Sequence, residues 1–427
     1  MKNTIYLCIC YVFAVFTVSA QEPENWARFR GPNGQGISTA TDLPVHWSAE
    51  KNIVWKTEIP GEGWSSPIVW NDHIFLTTAT DDGKNCHVIA IDRKTGKTLW
   101  DKTVFTQEQE HRHPMNSYAT STPVTDGKTV FAVFSGGSFV ALDFDGNIRW
   151  INSDLKFHSQ HGMGTSPILY NDLLLLAVDH SNRGEPKKLG FQEPWDKGYL
   201  LALDKNTGKE RWRGMRGMSR LGHATPAIMR VNGKDQIISS AGNVIQGFDP
   251  TNGKLIWTVD NEGEPCVPSP VIGDGLVYAS TASSNPIRAV RPDGQGACTA
   301  THIVWEQKRN TPMMSSYLYV KPCLYTASDN GAFTCLDAAT GEFLWDTRLR
   351  IGALNPSPVY ADGKICVLSE QGTTVVMKPS GDPKKPAEII ATNKLDGEGE
   401  TCRASMAVAG KQLIIRTANQ LWCIGKY

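Results

Sequence analysis

The chain has 427 residues, in which 43 lysines and arginines are balanced by 43 aspartates and glutamates. No basic run stands out, which argues against nucleic acid and anionic membrane surfaces as partners. The 39 glycines and 24 prolines are typical of a turn-rich, all-β protein.

The first 20 residues have the pattern of a secretory signal peptide. Lys2 supplies the positive start, residues 5–18 are apolar, and small residues precede an expected cleavage between Ala20 and Gln21. The apolar stretch is shorter than the roughly 20 residues that a membrane-spanning helix needs. We therefore expect a periplasmic or secreted monomer without a transmembrane segment. Its expected parts are the signal peptide 1–20, an extension 21–50 and a single domain 51–427.

One phrase recurs along the mature chain. Its second half ends in tryptophan, as in VIAIDRKTGKTLW at Trp100 and LLALDKNTGKERW at Trp212. Its first half resembles SSPIV at Ser65, and eight such starts, Ser65 included, occur at intervals of about 40 to 60 residues, the period of a four-stranded propeller blade. The starts are Ser65, Ser121, Thr165, Ala224, Pro268, Ser315, Pro356 and Ala404.

Each copy predicts four short antiparallel strands with tight turns at DGK-like and TG-like segments. The tryptophan at one fixed position is expected to pack against the next blade. The last copy has only three strands, whereas residues 53–58 (IVWKTE) form a strand with no blade before it. The sequence therefore predicts an all-β, eight-bladed β-propeller whose N-terminal strand completes the last blade and leaves no open edge.

The AxDxxTGxxxW phrase resembles the tryptophan-docking motif of the PQQ-like (pyrroloquinoline quinone repeat) propeller family. The segment WARFRGPNGQG at 26–36 is similar to the start of secreted proteins of that family. More distant relatives that the resemblance implies are BamB-type propellers and quinoprotein alcohol dehydrogenases. Those dehydrogenases hold PQQ over two adjacent disulfide-bonded cysteines beside calcium. This chain has no adjacent cysteine pair, which argues against PQQ as its cofactor and leaves a divalent metal open.

Two expectations concern the cysteines. Cys335 and Cys423 occupy the slot that alanine holds in other copies, so we expect them to be small buried packing residues. Cys266 and Cys298 fall in the same blade and are the first pair to test for a disulfide.

Polar residues are concentrated in the loops that should gather at one end of the channel, which we call the mouth. Six of the ten histidines lie between His111 and His223, in loops of blades 2 to 4. Converging loops on a rigid ring are common places for binding sites. The candidates are His111, His113, Asn116 and Tyr118 before blade 2, His158 and His161 before blade 3, Asp179, His180 and Trp195 within blade 3, Arg220 and His223 before blade 4, and Arg403 before blade 8.

Three interpretations of these loops stay open. In the first, a divalent metal is held by imidazole and carboxylate groups, namely His113, His161, Asp179, His180 and His223. In the second, His161, His223, Tyr118 and Arg220 act on a polar ligand by acid–base catalysis and anion binding, and the ligand contacts His111, His113, Asn116, His158, Arg403 and Trp195. In the third, all are solvated or structural.

Blade 3 also carries an insertion over residues 181–198, which we expect to form a rim whose Trp195 stacks on a sugar ring. The sequence thus predicts a propeller that binds or acts on a polar, saccharide-like ligand at the mouth of blades 2–4. Two alternatives remain: a non-catalytic scaffold that binds another envelope protein, as in BamB-type propellers, and a quinoprotein dehydrogenase.

Overall fold

The computed structural model describes residues 25–108, 111–183, 189–261, 263, 267–281, 286–395 and 401–426. Eight antiparallel sheets follow one another along the chain, which confirms the predicted all-β, eight-bladed propeller. The only helix in the described ranges is the single turn Thr299–His302, so none there is long and apolar enough to cross a membrane. The predicted signal peptide and Cys266 lie outside the described residues.

In blades 1 to 7 the strands run from the channel outwards in chain order. Blades 1 to 4 consist of Ile68–Trp70, His73–Thr80, Asn85–Asp92 and Thr98–Thr106; Val124–Thr125, Thr129–Val133, Phe139–Asp143 and Ile148–Asn152; Ile168–Tyr170, Leu173–Val178, Tyr199–Asp204 and Glu210–Met215; and Ala227–Val231, Lys234–Ala241, Val244–Phe248 and Leu255–Asp260. A short strand, Gly296–Ala297, adds to the outer edge of blade 4.

Blades 5 to 8 have the same plan. They consist of Val271–Gly273, Leu276–Ala279, Ile287–Val290 and Ile303–Gln307; Leu318–Val320, Cys323–Ala327, Ala332–Asp337 and Phe343–Arg348; Val359–Ala361, Lys364–Leu368, Thr373–Lys378 and Glu388–Lys394; and Ala407–Ala409, Gln412–Arg416, Gln420–Gly425 and Ile53–Glu58. In blade 8 the strand from the N-terminal side, Ile53–Glu58, pairs antiparallel with Gln420–Gly425.

The recurring tryptophans lie at the seams between blades. The ring of Trp150 lies over Gly208, in the TG turn of the next blade, and its indole nitrogen donates to the Lys205 carbonyl at 2.9 Å. A Cβ at Gly208 would fall 2.4 Å from that ring, so glycine is required by the contact as well as by its φ of +70°. The same contact recurs for Trp55 on Gly96, Trp100 on Gly146, Trp212 on Gly253 and Trp305 on Gly341.

Small residues face these tryptophans across the sheet. Ala141 pairs with Trp150, and Cys335 and Cys423 pair with Trp345 and Trp55. Both thiols are buried and free, as the sequence predicts, because a larger side chain at that position would displace the indole ring. Cys298 is also a buried free thiol.

A closed belt of hydrogen bonds joins the first strands. In each blade the second residue of the first-half phrase is a buried serine or threonine, and its backbone N–H donates to the hydroxyl of its counterpart in the next blade. The eight distances lie between 2.9 and 3.1 Å, and the last bond runs from Ser405 back to Ser66. The belt therefore closes around the axis, and the loops before it surround one opening.

The N-terminal extension is part of the propeller. Trp26 forms a two-way backbone bridge with Val69 of blade 1, and the Arg28 and Arg30 guanidinium groups donate to Pro226 and Tyr317 carbonyls of blades 4 and 6. Its remaining bonds reach Thr125, Ile272 and Tyr360 in blades 2, 5 and 7. Residues 26–38, which we call the axial segment, thus contact the first strands of six blades.

Candidate ligand site at the mouth

Three imidazoles from three different blades contact one another at the mouth. His161 lies in the middle, with ring centroids 5.6 Å from His113 and 5.7 Å from His223. The Phe191 ring of the blade 3 insertion stands edge-on against His161, at 5.0 Å. His113, His161 and His223 precede the first strands of blades 2, 3 and 4, so the ring geometry brings together residues separated by long stretches of chain. We call these three residues the histidine cluster.

His223 is the electrostatically unusual member of the histidine cluster. Burial, and then the proximity of His161 and His113, lower the pKa of His223 from 6.5 to about 3. Its Nε2 is buried and has no hydrogen-bond partner among the described residues. The imidazole is therefore neutral at pH 7 and offers one polar atom for binding, while a pKa so far below 7 makes it a weak general base.

A network of polar side chains fixes the His113 loop against blade 3. Asn116 Nδ2 donates to the His161 carbonyl at 2.6 Å, and Arg112 donates to the Asn116 carbonyl at 2.6 Å and to Glu62 at 3.2 Å. The Arg112 guanidinium covers one face of the Tyr118 ring at 4.8 Å, and Gly83 packs against the ring as well. Tyr118 and Asn116 thus shape the mouth, and the Tyr118 ring lines the cleft described below.

His111 and His158 lie apart from the histidine cluster. They line a recess of about 10 Å³ together with Phe157 and Gly162, enough for roughly one water molecule. The structure therefore brings three of the five candidate histidines of the first-strand loops into contact and leaves these two beside a space too small for a larger ligand.

The remaining candidates in and around the blade 3 insertion have different contacts. Arg220 Nε donates to the Phe191 carbonyl at 2.7 Å, which fixes the insertion beside the histidine cluster. Trp195 packs on His180, with ring centroids 5.1 Å apart, and His180 Nε2 lies 3.1 Å from the Lys197 carbonyl. Trp195 of the insertion therefore packs on His180, which directly precedes the insertion, and no ring contact among the described residues joins either of them to the histidine cluster.

Asp179 is a structural residue in this fold, which changes the predicted metal set. Both of its carboxylate oxygens accept hydrogen bonds from Arg216, at 2.6 and 3.0 Å, and both side chains are buried. Within the described ranges no three His, Cys, Asp or Glu side chains are arranged to hold a metal ion. The set His113, His161, Asp179, His180 and His223 is not assembled, because Asp179 neutralises a buried guanidinium and His180 packs on Trp195.

Arg403 extends the mouth towards blades 8 and 1. Its Nε donates to Glu370 at 2.9 Å, its guanidinium lies over the Trp64 ring at 5.3 Å, and its Nη1 donates to the Pro114 carbonyl at 3.3 Å. Pro114 follows His113 directly. Arg403 thus supports the loop that carries the histidine cluster's first member.

An acidic cleft beside Tyr118 was not predicted. Its volume is about 300 Å³, and Glu62, Asp81 and Asp82 contribute its carboxylates. This volume is at the lower end of the range for small-molecule pockets. The sequence signal was the unusual DDG turn between the second and third strands of blade 1, in one of the loop types expected at the mouth.

Comparisons with known proteins place the chain among PQQ-like propellers. The family described as "Outer membrane protein assembly factor BamB" matches residues 34–183, 194–297 and 297–400. The outer membrane protein assembly factor BamB of Yersinia pestis is 23% identical over 207 residues, 42% of this chain and 49% of that protein. Subunit 1 of methanol dehydrogenase from Paracoccus denitrificans is 26% identical over 213 residues, 45% of this chain and 30% of that protein. The chain thus matches half or less of these relatives' lengths.

Solved structures agree on the fold. BamB from Moraxella catarrhalis superposes with a TM-score of 0.57 at 15% identity, covering 87% of this chain and 96% of that one. The quinohemoprotein alcohol dehydrogenase of Comamonas testosteroni gives 0.63 at 9% identity, covering 95% and 81%. At these identities the likeness is one of architecture alone.

Proposed function

The chain belongs to the BamB-like family of PQQ-repeat propellers, and within that family we propose that it binds a polar, hydroxyl-rich small molecule, such as a saccharide, at the mouth. The observation that carries the proposal is the contact of His113, His161 and His223, which come from three blades. A folded chain gains little from gathering three imidazoles and burying the Nε2 of His223, which has no hydrogen-bond partner in the part of the chain that the structure describes. A ligand hydroxyl would satisfy that atom.

The acidic cleft supports the choice of ligand class. Glu62, Asp81 and Asp82 offer carboxylate oxygens that accept hydrogen bonds, and sugar hydroxyls are donors. Arg112 joins the cleft to the histidine cluster, since it bonds both Glu62 and the loop of Asn116. A ligand the size of one or two sugar rings could contact both. Because His223 is a weak base, we favour binding over acid–base catalysis at this residue.

The location that we infer is the cell envelope. It rests on the similarity to BamB, an outer membrane protein assembly factor, and on the predicted signal peptide. A scaffold role like that of those relatives is the alternative function, and a dehydrogenase role is the third.

The test is a thermal-shift screen of the wild-type chain against neutral and acidic oligosaccharides, divalent metals, and PQQ with calcium. We expect an oligosaccharide to raise the Tm, as any ligand that binds only the folded state does. His161→Ala should remove this shift, because His161 contacts both other members of the histidine cluster. His46→Ala, at an exposed position in the N-terminal extension, is the matched control and should keep it.

Three results would overturn the proposal. A shift that His161→Ala and His46→Ala retain equally would place the ligand elsewhere. The absence of any shift, with a stable interaction with an envelope protein that survives His161→Ala, would favour the scaffold. A large shift with PQQ and calcium alone would favour the dehydrogenase.

A further inference from the structure

Arg416 is a buried cation at the seam where the ring closes. It ends the second strand of blade 8 and is 1% exposed. Among the described residues its hydrogen bonds are all made by Nη1, which donates to the Ser65 carbonyl at 3.0 Å, the Ser65 hydroxyl at 2.7 Å and the Thr77 carbonyl at 2.7 Å of blade 1. None of these acceptors carries a charge.

The other edge of the Arg416 guanidinium has no acceptor. Its Nε and Nη2 are both buried, and neither has a hydrogen-bond partner among the described residues. Burial lowers the pKa of Arg416 from 12.5 to about 9, so the group is still a cation at neutral pH. A buried charge without a counter-charge is costly, which makes two unmet N–H groups on one cation unusual.

The same chain shows what this edge of an arginine binds. Arg216, which is also buried, directs its Nε and Nη2 at the two oxygens of Asp179, at 2.6 and 3.0 Å. This is the bidentate arrangement in which a guanidinium matches the plane of a carboxylate. In Arg416 the same two groups, Nε and Nη2, bond none of the Ser65 and Thr77 oxygens that Nη1 contacts.

Arg416 is not needed to build a blade. In blade 8 the first residue of the first strand, Ala407, pairs with Ile414 of the second strand, and Arg416 comes two residues after Ile414. The equivalent position in each of the other seven blades holds a small or neutral side chain. These residues are Thr77, Val133, Ala177, Ser240, Ser280, Ala327 and Leu368. A cation at this one position therefore serves something other than the repeat.

The unpaired edge lies beside Gly63, in the loop before the first strand of blade 1. Arg416 Nη2 lies 2.7 Å from the point where a Cβ on residue 63 would stand, and Gly63 has none. Gly63 precedes Trp64, whose ring is covered by Arg403. We propose that the Nε and Nη2 groups of Arg416 bind a carboxylate or similar oxyanion at the seam between blades 8 and 1.

The test uses acetate as the probe. The Tm of the full chain is measured as sodium acetate replaces sodium chloride at constant ionic strength, which separates carboxylate binding from general salt screening. We expect acetate to stabilise the wild type; at ten times its Kd the folding constant rises about 11-fold. Arg416→Lys keeps the charge but lacks the bidentate edge, so it should lose the acetate effect.

Two further variants keep the test informative. Gly63→Ala keeps Arg416 but puts a methyl group 2.7 Å from Nη2 and 2.8 Å from the Thr77 carbonyl, which must displace the guanidinium or its acceptor, so it should also weaken the effect. Arg230→Gln removes one exposed arginine elsewhere and should leave the effect unchanged. Equal Tm values in acetate and chloride for the wild type, or an acetate effect that Arg416→Lys retains in full, would overturn the proposal.

The source of the carboxylate is decided by two more probes. Galacturonate that competes with acetate, while galactose does not, would indicate a sugar acid; acetate binding without galacturonate binding would indicate a free small anion. The site is independent of the histidine cluster, and we therefore expect His161→Ala to bind acetate like the wild type.

Discussion

The buried imidazole of His223 is expected to add a pH-dependent contribution to the stability of this propeller. His223 has a folded-state pKa of about 3, against 6.5 when unfolded. Between these values the unfolded chain takes up a proton that the folded chain does not, so stability is present above pH 6.5 and falls as the pH drops towards 3.

We predict that His223→Gln removes this dependence. The free energy of unfolding of the wild type should fall by up to about 1.4 kcal/mol per pH unit more than that of the variant between pH 6 and pH 4. Urea unfolding at several pH values measures the two slopes. His46→Gln, at an exposed histidine, should keep the wild-type slope. Parallel slopes for wild type and His223→Gln would mean that His223 is not buried in its neutral form.

The contacts of individual side chains were harder to predict from the sequence than the blades or the ring. The sequence places Asp179 and His180 in a mouth loop and thereby suggests metal ligands, but it does not show that Arg216 lies against Asp179. That ion pair joins residues 37 positions apart, on either side of the insertion. Arg416 was missed because it ends an otherwise ordinary apolar strand, LIIR, and only the ring brings Ser65 to it.

At the scale of the blade, the seam contact between tryptophan and glycine should govern stability. Gly208 and Gly233 both have positive φ, +70° and +80°, but only Gly208 has a ring, that of Trp150, against the position of a Cβ. Alanine is strained by about 1 kcal/mol at both. We predict that Gly208→Ala lowers the free energy of unfolding by about 1–3 kcal/mol more than Gly233→Ala does, because the added methyl group would clash with the Trp150 ring.

Chemical unfolding of the two variants measures this difference. Equal losses of stability would show that backbone strain alone matters and that the Trp150 contact contributes nothing. Such a result would also weaken the interpretation of the recurring tryptophans as seams.

The four-stranded plan of a blade could be predicted because it repeats along the sequence. The places where a blade departs from that plan could not be predicted. Trp257 ends a well-formed phrase, yet its indole nitrogen donates to Gln236 of its own blade, at 2.8 Å. The next blade lacks a TG turn for it, since an insertion carrying Gly296–Ala297 and Thr299–His302 replaces that turn. The physical reason lies in a neighbouring blade, so the phrase around Trp257 alone does not reveal it.

At the scale of the whole molecule, closure of the ring brings loops from different repeats together at one opening. The serines and threonines of the first-half phrases were visible in the sequence, but their shared role as a closed hydrogen-bonded belt needs all eight blades. The axial segment was expected only as an extension, although it contacts six of the blades. The predicted convergence of the blade 2 to 4 loops follows from the same geometry.

The convergence of those loops is tested most directly by imidazole nitrogen NMR of the histidine-labelled chain. If His113, His161 and His223 share one buried cluster, the His223 ring keeps its neutral-form shifts down to about pH 4. In His161→Ala its pKa rises, because a neighbouring imidazole that disfavours protonation is gone. A His223 ring that titrates near pH 6.5, identically in the wild type and in His161→Ala, would contradict the shared mouth.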